Sequence, residues 1–112
     1  MKEMEIFNGR ENKATAEKLR EGYTCRVVGV GNSMTPIFKS KQAVICEPVF
    51  EETELSKRDI VLCKVHGHYY LHLIHAIRGG QYLIGNNHGH MNGWVSKSGI
   101  LAGLLKSCSP FS

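Results

Sequence analysis

No apolar stretch in this chain approaches the roughly 18 residues that a membrane-crossing helix needs, so no anchor is expected. The opening Met1-Lys2-Glu3-Met4-Glu5 also lacks the apolar core of a secretory signal. Lysines and arginines are scattered, with no long run of one sign and no interleaving with aromatics. The net charge of +4 is mild, so nucleic-acid binding is not indicated. The four cysteines, Cys25, Cys46, Cys63 and Cys108, show no C-x-x-C spacing. Cysteines within apolar runs such as Val44-Ile45-Cys46 and Ile60-Val61-Leu62-Cys63 read as buried free thiols of a reducing cytoplasm, not as a disulfide framework or a cysteine metal site. Repeats, low-complexity tracts and linkers are missing too.

What remains is 112 residues, one domain by length, able to bury somewhat over 60% of its unfolded surface around one core. Residues 1 to 10 are polar, an arm or an edge. Residues 12 to 21 form the one good helix candidate, with Ala16, Leu19 and Tyr23 near helical spacing and Gly22 placed to stop it. A single helix makes no helix-turn-helix reader; it packs on the sheet or on a partner, and a homodimer is compatible with this. The division expected is an arm and helix over residues 1–24 and a β domain over 25–112, together one structural unit.

Short strand patterns fill the rest. Cys25 to Val30 and Ala43 to Glu47 are two; Asp59 to Val65 and Tyr69 to Ile77 form a hairpin around His66-Gly67-His68. Gln81 to Ile84 follows the Gly79-Gly80 turn, Gly85 to Gly93 reads as a loop, and Trp94-Val95 and Ile100 to Leu105 close the chain. Glu51 to Arg58 is a charged, solvated loop. Turn signals every eight to twelve residues point to a mainly β fold with one N-terminal helix.

Gly31-Asn32-Ser33-Met34-Thr35-Pro36 stands out among the turns. Gly31 frees the backbone beside Ser33, and Pro36 fixes φ and biases Thr35 toward an extended shape. The result is a stiff turn with a hydroxyl near its tip. Such a serine either bonds its own backbone or, beside a base and an oxyanion hole, acts as a nucleophile.

This box resembles the nucleophile box, Gly-x-Ser-Met-x-Pro, of the LexA and signal peptidase I group of serine peptidases. Arg58-Asp59-Ile60-Val61 resembles the group's Gly-Asp-x-Val strand start, with arginine in place of glycine. Tyr70-Leu71-His72-Leu73-Ile74 sits where the group carries its general base, lysine in some members and histidine in others. Gly85-Asn86-Asn87 resembles its Gly-Asp-Asn element, and Ile100 to Leu105 its closing strand. The resemblance spans residues 25 to 105 and implies a small, coiled, mostly antiparallel β domain. It also implies that Ser33 attacks a peptide carbonyl and that the substrate lies as an extended strand against a sheet edge.

His72 is the candidate base, with an ordinary pKa suited to that work. Period two places His66, His68, Tyr70 and His72 on one strand face and Tyr69, Leu71 and Leu73 on the opposite, core-facing one. His72 is thus expected on a polar face. Lys64 is the second candidate base, and His75 a third if a bulge shifts the register. Where histidine-type relatives carry an orienting aspartate, this chain has Asn86, which can orient a ring but not neutralise its cation; Asp59 is the substitute carboxylate. The Ser33 backbone N–H and the Asn32 side chain are the oxyanion donors expected, and Met34 packs under the loop.

Two other readings compete. The six histidines include His66-x-His68 and His88-x-His90, a start for a metal site, although Gly67 and Gly89 set both pairs in turns. Alternatively, the same scaffold is a catalytically inactive peptide- or protein-binding module. No cofactor is called for under the peptidase reading. The sole Ala-Gly bond, Ala102-Gly103, lies in a strand near the C-terminus and not before the serine. Self-cleavage as a repressor switch is therefore disfavoured, and a soluble, stand-alone cytoplasmic domain without an anchor, of phage or mobile-element type, is the expectation.

Overall fold

The computed structural model describes residues 2–3, 19–28, 34, 36–37 and 42–104. They form one sheet of eight strands: β1 (Lys2–Glu3), β2 (Cys25–Val28), β3 (Ala43–Pro48), β4 (Ile60–Val65), β5 (His68–Arg78), β6 (Gln81–Gly85), β7 (Met91–Ser96) and β8 (Ile100–Leu104). Their order across the sheet is β1-β2-β3-β8-β4-β5-β6-β7. Only β1 and β2 run parallel; every other pairing is antiparallel. The fold is mainly β, as the turn spacing predicts. Of the expected helix only its end is described, Leu19 and Arg20, closed where Gly22 N–H donates to the Leu19 carbonyl at 3.0 Å. Among the described residues no helix is long and apolar enough to cross a membrane.

Local chemistry explains the central meander. β4 and β5 join through His66 and Gly67, both at positive φ (49° and 84°), the twist a two-residue hairpin turn requires. The register then sets Val61 opposite His72 and Leu62 opposite Leu71. β5 carries a bulge, a register shift against β6 between Ile74 and Ala76, which leaves His75 as the extra residue.

One expectation about the chain's course is overturned. The stretch 85–93 is not all loop: Gly85 ends β6, the turn is confined to residues 86–90, and Met91-Asn92-Gly93 begin β7. The physical reason lies at Gly93, where φ is +145° and an added Cβ would stand 3.3 Å from Val65 Cγ1 and 2.9 Å from His66 Nε2. Without a side chain there, β7 passes close by the end of β4. An Asn-Gly pair therefore serves here as a close strand crossing, not a turn.

The sheet buries two apolar clusters, one against each face of β4 and β5. The first includes Leu19, Cys25, Val27, Met34, Val44, Cys46, Leu62, Tyr69, Leu71 and Leu73. The second is built from Val61, Cys63, Val65, Ile74, Ile84 and Ile100, with Tyr70, Tyr82 and Val95 packed on it. Alternation along β4 produces this split: Val61, Cys63 and Val65 go one way and Leu62 the other. Cys25, Cys46 and Cys63 are buried and in no disulfide, and burial pushes the Cys46 and Cys63 thiols up to about 12.

Candidate active site

Along β5 the even-numbered positions pass from solvent into the interior: His68 is exposed, Tyr70 half-buried, His72 only 3% exposed and Ile74 fully buried. The expectation that His72 lies on an open polar face is thereby corrected. Its face is the second core, covered because the chain beyond β6 returns as β7. The odd positions Tyr69, Leu71 and Leu73 are buried in the first core, as alternation predicts. Among the described residues His72 is the one buried polar or charged side chain. A titratable ring held there needs partners, and it has them.

The Nδ1 of His72 lies 2.7 Å from the Oδ1 of Asn92 on β7. With an amide oxygen as partner, Nδ1 carries the proton and donates, so the neutral ring keeps its lone pair on Nε2. The ring stacks on Tyr70, centroids 5.1 Å apart and planes inclined by 27°, and Tyr70 meets His68 edge-on at 6.5 Å. Burial holds the His72 pKa below its ordinary value; the Asn92 bond opposes this, and the nearby His90 and His75 add to the lowering. The ring is therefore a neutral base at neutral pH. One tautomer is selected, with the lone pair on Nε2.

Ser33 and Asn32 lie outside the described residues, as does the rest of their box apart from Met34 and Pro36. Met34 is 2% exposed and belongs to the first core, and its carbonyl accepts the Ile37 N–H at 2.8 Å. The residue after the serine is thus fixed in the same core as Leu71 and Leu73, the two neighbours of His72 in β5.

The other candidates are placed elsewhere. Lys64 is directly opposite Tyr69, with its Nζ 5.3 Å from the centre of that ring, on the face of β4 opposite to His72's partner Val61. His75 sits in the bulge that would favour it, but its Nε2–H donates to the Asn86 carbonyl at 2.8 Å. Asp59 holds a turn: its Oδ2 accepts the Ser56 N–H at 2.8 Å, and its carbonyl accepts the Ile74 N–H at 2.9 Å. Its neighbour Arg58 has φ +78°, a left-handed backbone that glycine adopts more readily than arginine.

Asn86 does not make the orienting bond looked for in the sequence. Its Oδ1 accepts the N–H groups of His88 (2.8 Å) and His90 (2.9 Å), closing the 86–90 turn. Asn92 takes the part instead. It escaped the sequence reading because Asn-Gly in a polar stretch signals a turn, and only the register of β7 brings its amide to the ring. His66, His68, His88 and His90 are all exposed, and among the described residues no cluster of three or more His, Cys, Asp or Glu is arranged to hold a metal.

An oriented, neutral, nearly water-free imidazole is equipped for general-base work, and the serine box supplies an alcohol of the right type. No curated protein matches the chain. A model of the Peptidase S24-like family, by contrast, matches residues 5–99, a span that takes in Ser33, His72 and Asn92. With that span covering most of its length and a serine-peptidase-like β scaffold beneath it, the chain belongs to the Peptidase S24-like family.

Proposed function

We propose that the protein is a serine endopeptidase in which Ser33 is the nucleophile, His72 the general base and Asn92 the residue that positions His72. The observation that carries this reading is the 2.7 Å bond from His72 Nδ1 to Asn92 Oδ1 on a ring only 3% exposed. In the first step the Ser33 hydroxyl passes its proton to His72 Nε2 while Oγ bonds to the peptide carbonyl carbon. The Ser33 backbone N–H and the Asn32 side chain receive the oxyanion. As the C–N bond breaks, His72 returns the proton to the leaving amine. Water then attacks the acyl ester, His72 takes its proton, and Ser33 Oγ leaves as the alcohol by recovering it. No cofactor enters this sequence.

The substrate is proposed to be a peptide laid as an extended strand along a sheet edge, where backbone bonds supply affinity. Buried cysteines in no disulfide favour a reducing, cytoplasmic setting. A fluorophosphonate tests the chemistry directly. Mass spectrometry should find it on Ser33, and Ser33→Ala or His72→Ala should abolish labelling without unfolding the chain. A folded protein that stays unlabelled overturns the proposal.

One observation favours a second reading. The group beside the ring is an amide, which orients an imidazole as in papain-like enzymes but cannot neutralise the imidazolium. A peptide-binding module descended from the same scaffold would carry such a relic. It would ignore the fluorophosphonate, and Ser33→Ala would leave peptide binding intact.

A further inference from the structure

β2 and β3 pair with Cys25 directly opposite Cys46. Both side chains enter the first core, beside Val27 and Val44, and neither exposes any surface. Directly opposed residues of an antiparallel pair hold their Cα atoms roughly 4.5–5.5 Å apart, within the roughly 4.4–6.8 Å that a disulfide spans. Cys63 lies in the second core, where its Sγ–H points to the Tyr70 carbonyl at 3.7 Å, so the sheet separates it from the pair. We propose that Cys25 and Cys46 are an oxidisable pair that a small-molecule disulfide converts into a cross-strand disulfide, stapling β2 to β3, the two strands between which Ser33 falls in the sequence.

The bond itself does not depend on the peptidase reading; its effect on Ser33 does. Its chemistry is thiol–disulfide exchange. One thiolate attacks a sulfur of oxidised glutathione, forms a mixed disulfide and releases one glutathione thiolate. The second cysteine's thiolate then attacks the protein sulfur of that mixed disulfide and expels the other glutathione. Two protein thiols are oxidised, one disulfide is reduced, and the two protons end on the released thiols.

The setting determines the rate. Burial, helped by the neighbouring Cys25, pushes the Cys46 thiol up to about 12, so the attacking thiolate is scarce in the closed sheet. Reaction therefore waits for β2 and β3 to part. Among the described residues β2 is covered on its outer side only by the two-residue β1, which makes that opening local. The pair is a slow recorder of oxidising conditions, not a fast redox catalyst.

The test is peptide mapping of the full chain incubated with oxidised glutathione, with and without urea below the unfolding transition, and alkylated in acid-quenched samples. Expected is a Cys25–Cys46 linked peptide lighter by two hydrogens, formed slowly in buffer and several-fold faster in mild urea, and reversed by reductant. A Cys63→Ala/Cys108→Ala variant should behave identically. Persistent free thiols, a lasting glutathione adduct, or linkage to Cys63 or Cys108 would overturn it. Fluorophosphonate labelling of reduced and oxidised samples separates the two proposals. A reductant-reversible change in Ser33 labelling supports both. If neither form is labelled, the peptidase reading fails while the mapped disulfide stands.

Discussion

The two faces of β5 are built by different rules. Tyr69, Leu71 and Leu73 are buried as any alternating strand buries its apolar set, in one cluster with Leu62 and Met34. On the other face, His68, Tyr70 and His72 run inward toward Ile74, and among the described residues it is a strand distant in sequence, β7, that reaches the His72 ring through Asn92. The first face is a local consequence of periodicity. The second is a consequence of topology, and it is the one that encloses the titratable ring. A core that forms by pattern gives stability, whereas a ring covered by a distant strand gains a low-dielectric, oriented position suited to chemistry.

The largest effect expected on this contrast comes from the pattern-built face. Leu73 is 1% exposed, and Leu73→Ala should cost about 2–5 kcal/mol of unfolding free energy, read by urea titration. His72→Ala should cost less while abolishing fluorophosphonate labelling. If the two variants lose stability equally, the faces are energetically alike and the comparison fails.

Gly93→Ala attacks the closure itself. At φ +145° an alanine is strained, and its Cβ would lie 3.3 Å from buried Val65 Cγ1 as well as 2.9 Å from the His66 ring. Backbone strain of this kind costs on the order of 1–3 kcal/mol. The exposed His66 ring can swing away, so adding His66→Ala should recover little. The same variant should move the His72 ring resonances in NMR, because Asn92 precedes Gly93. A wild-type stability for Gly93→Ala would mean that β7 closes for some other reason.

This is also where the sequence stops being legible. The hairpin β4–β5 and strand β6 could be read because glycine turns and alternating apolar residues act over a few positions. His72 is the candidate base in the sequence because a histidine in a strand, at the place expected from a serine box, has few rivals. Asn92 could not. Asn-Gly has a strong local meaning, a turn, and its tertiary meaning depends on β7 being free of a Cβ where it crosses β4. The same limit applies to Asn86, which has the better motif, while its side-chain oxygen is engaged by two backbone N–H groups of its own turn. Long-range covering also turned the expected polar face of β5 into an interior.

Asn92→Ala gives the next smaller effect. It leaves the buried Nδ1–H without its acceptor, at about 1–3 kcal/mol. Under the peptidase reading the ring loses its preferred tautomer, and acylation of Ser33 should slow by roughly tenfold if about 1.4 kcal/mol is lost in the transition state. Asn92→Asp sharpens the point, because a carboxylate there favours the imidazolium and should raise the His72 pKa in an NMR titration. A merely structural Asn92 would change stability in both variants and leave the acid limb of the labelling profile where it was.

The smallest effect is a slope with pH. His72 titrates below its ordinary value because the folded chain buries it neutral. Unfolded, the same ring binds its proton near pH 6.5. Between those two values the unfolded chain holds more protons than the native one, so stability rises with pH across that window. The contribution is fully present above about pH 6.5 and is lost as pH falls through the lower, folded value. Urea titrations at intervals from neutral to mildly acid pH should therefore show the midpoint falling below pH 6.5, and His72→Gln should flatten that fall. A slope unchanged in His72→Gln would assign it to other groups, and with it would go the claim that the covered face of β5 holds a neutral ring.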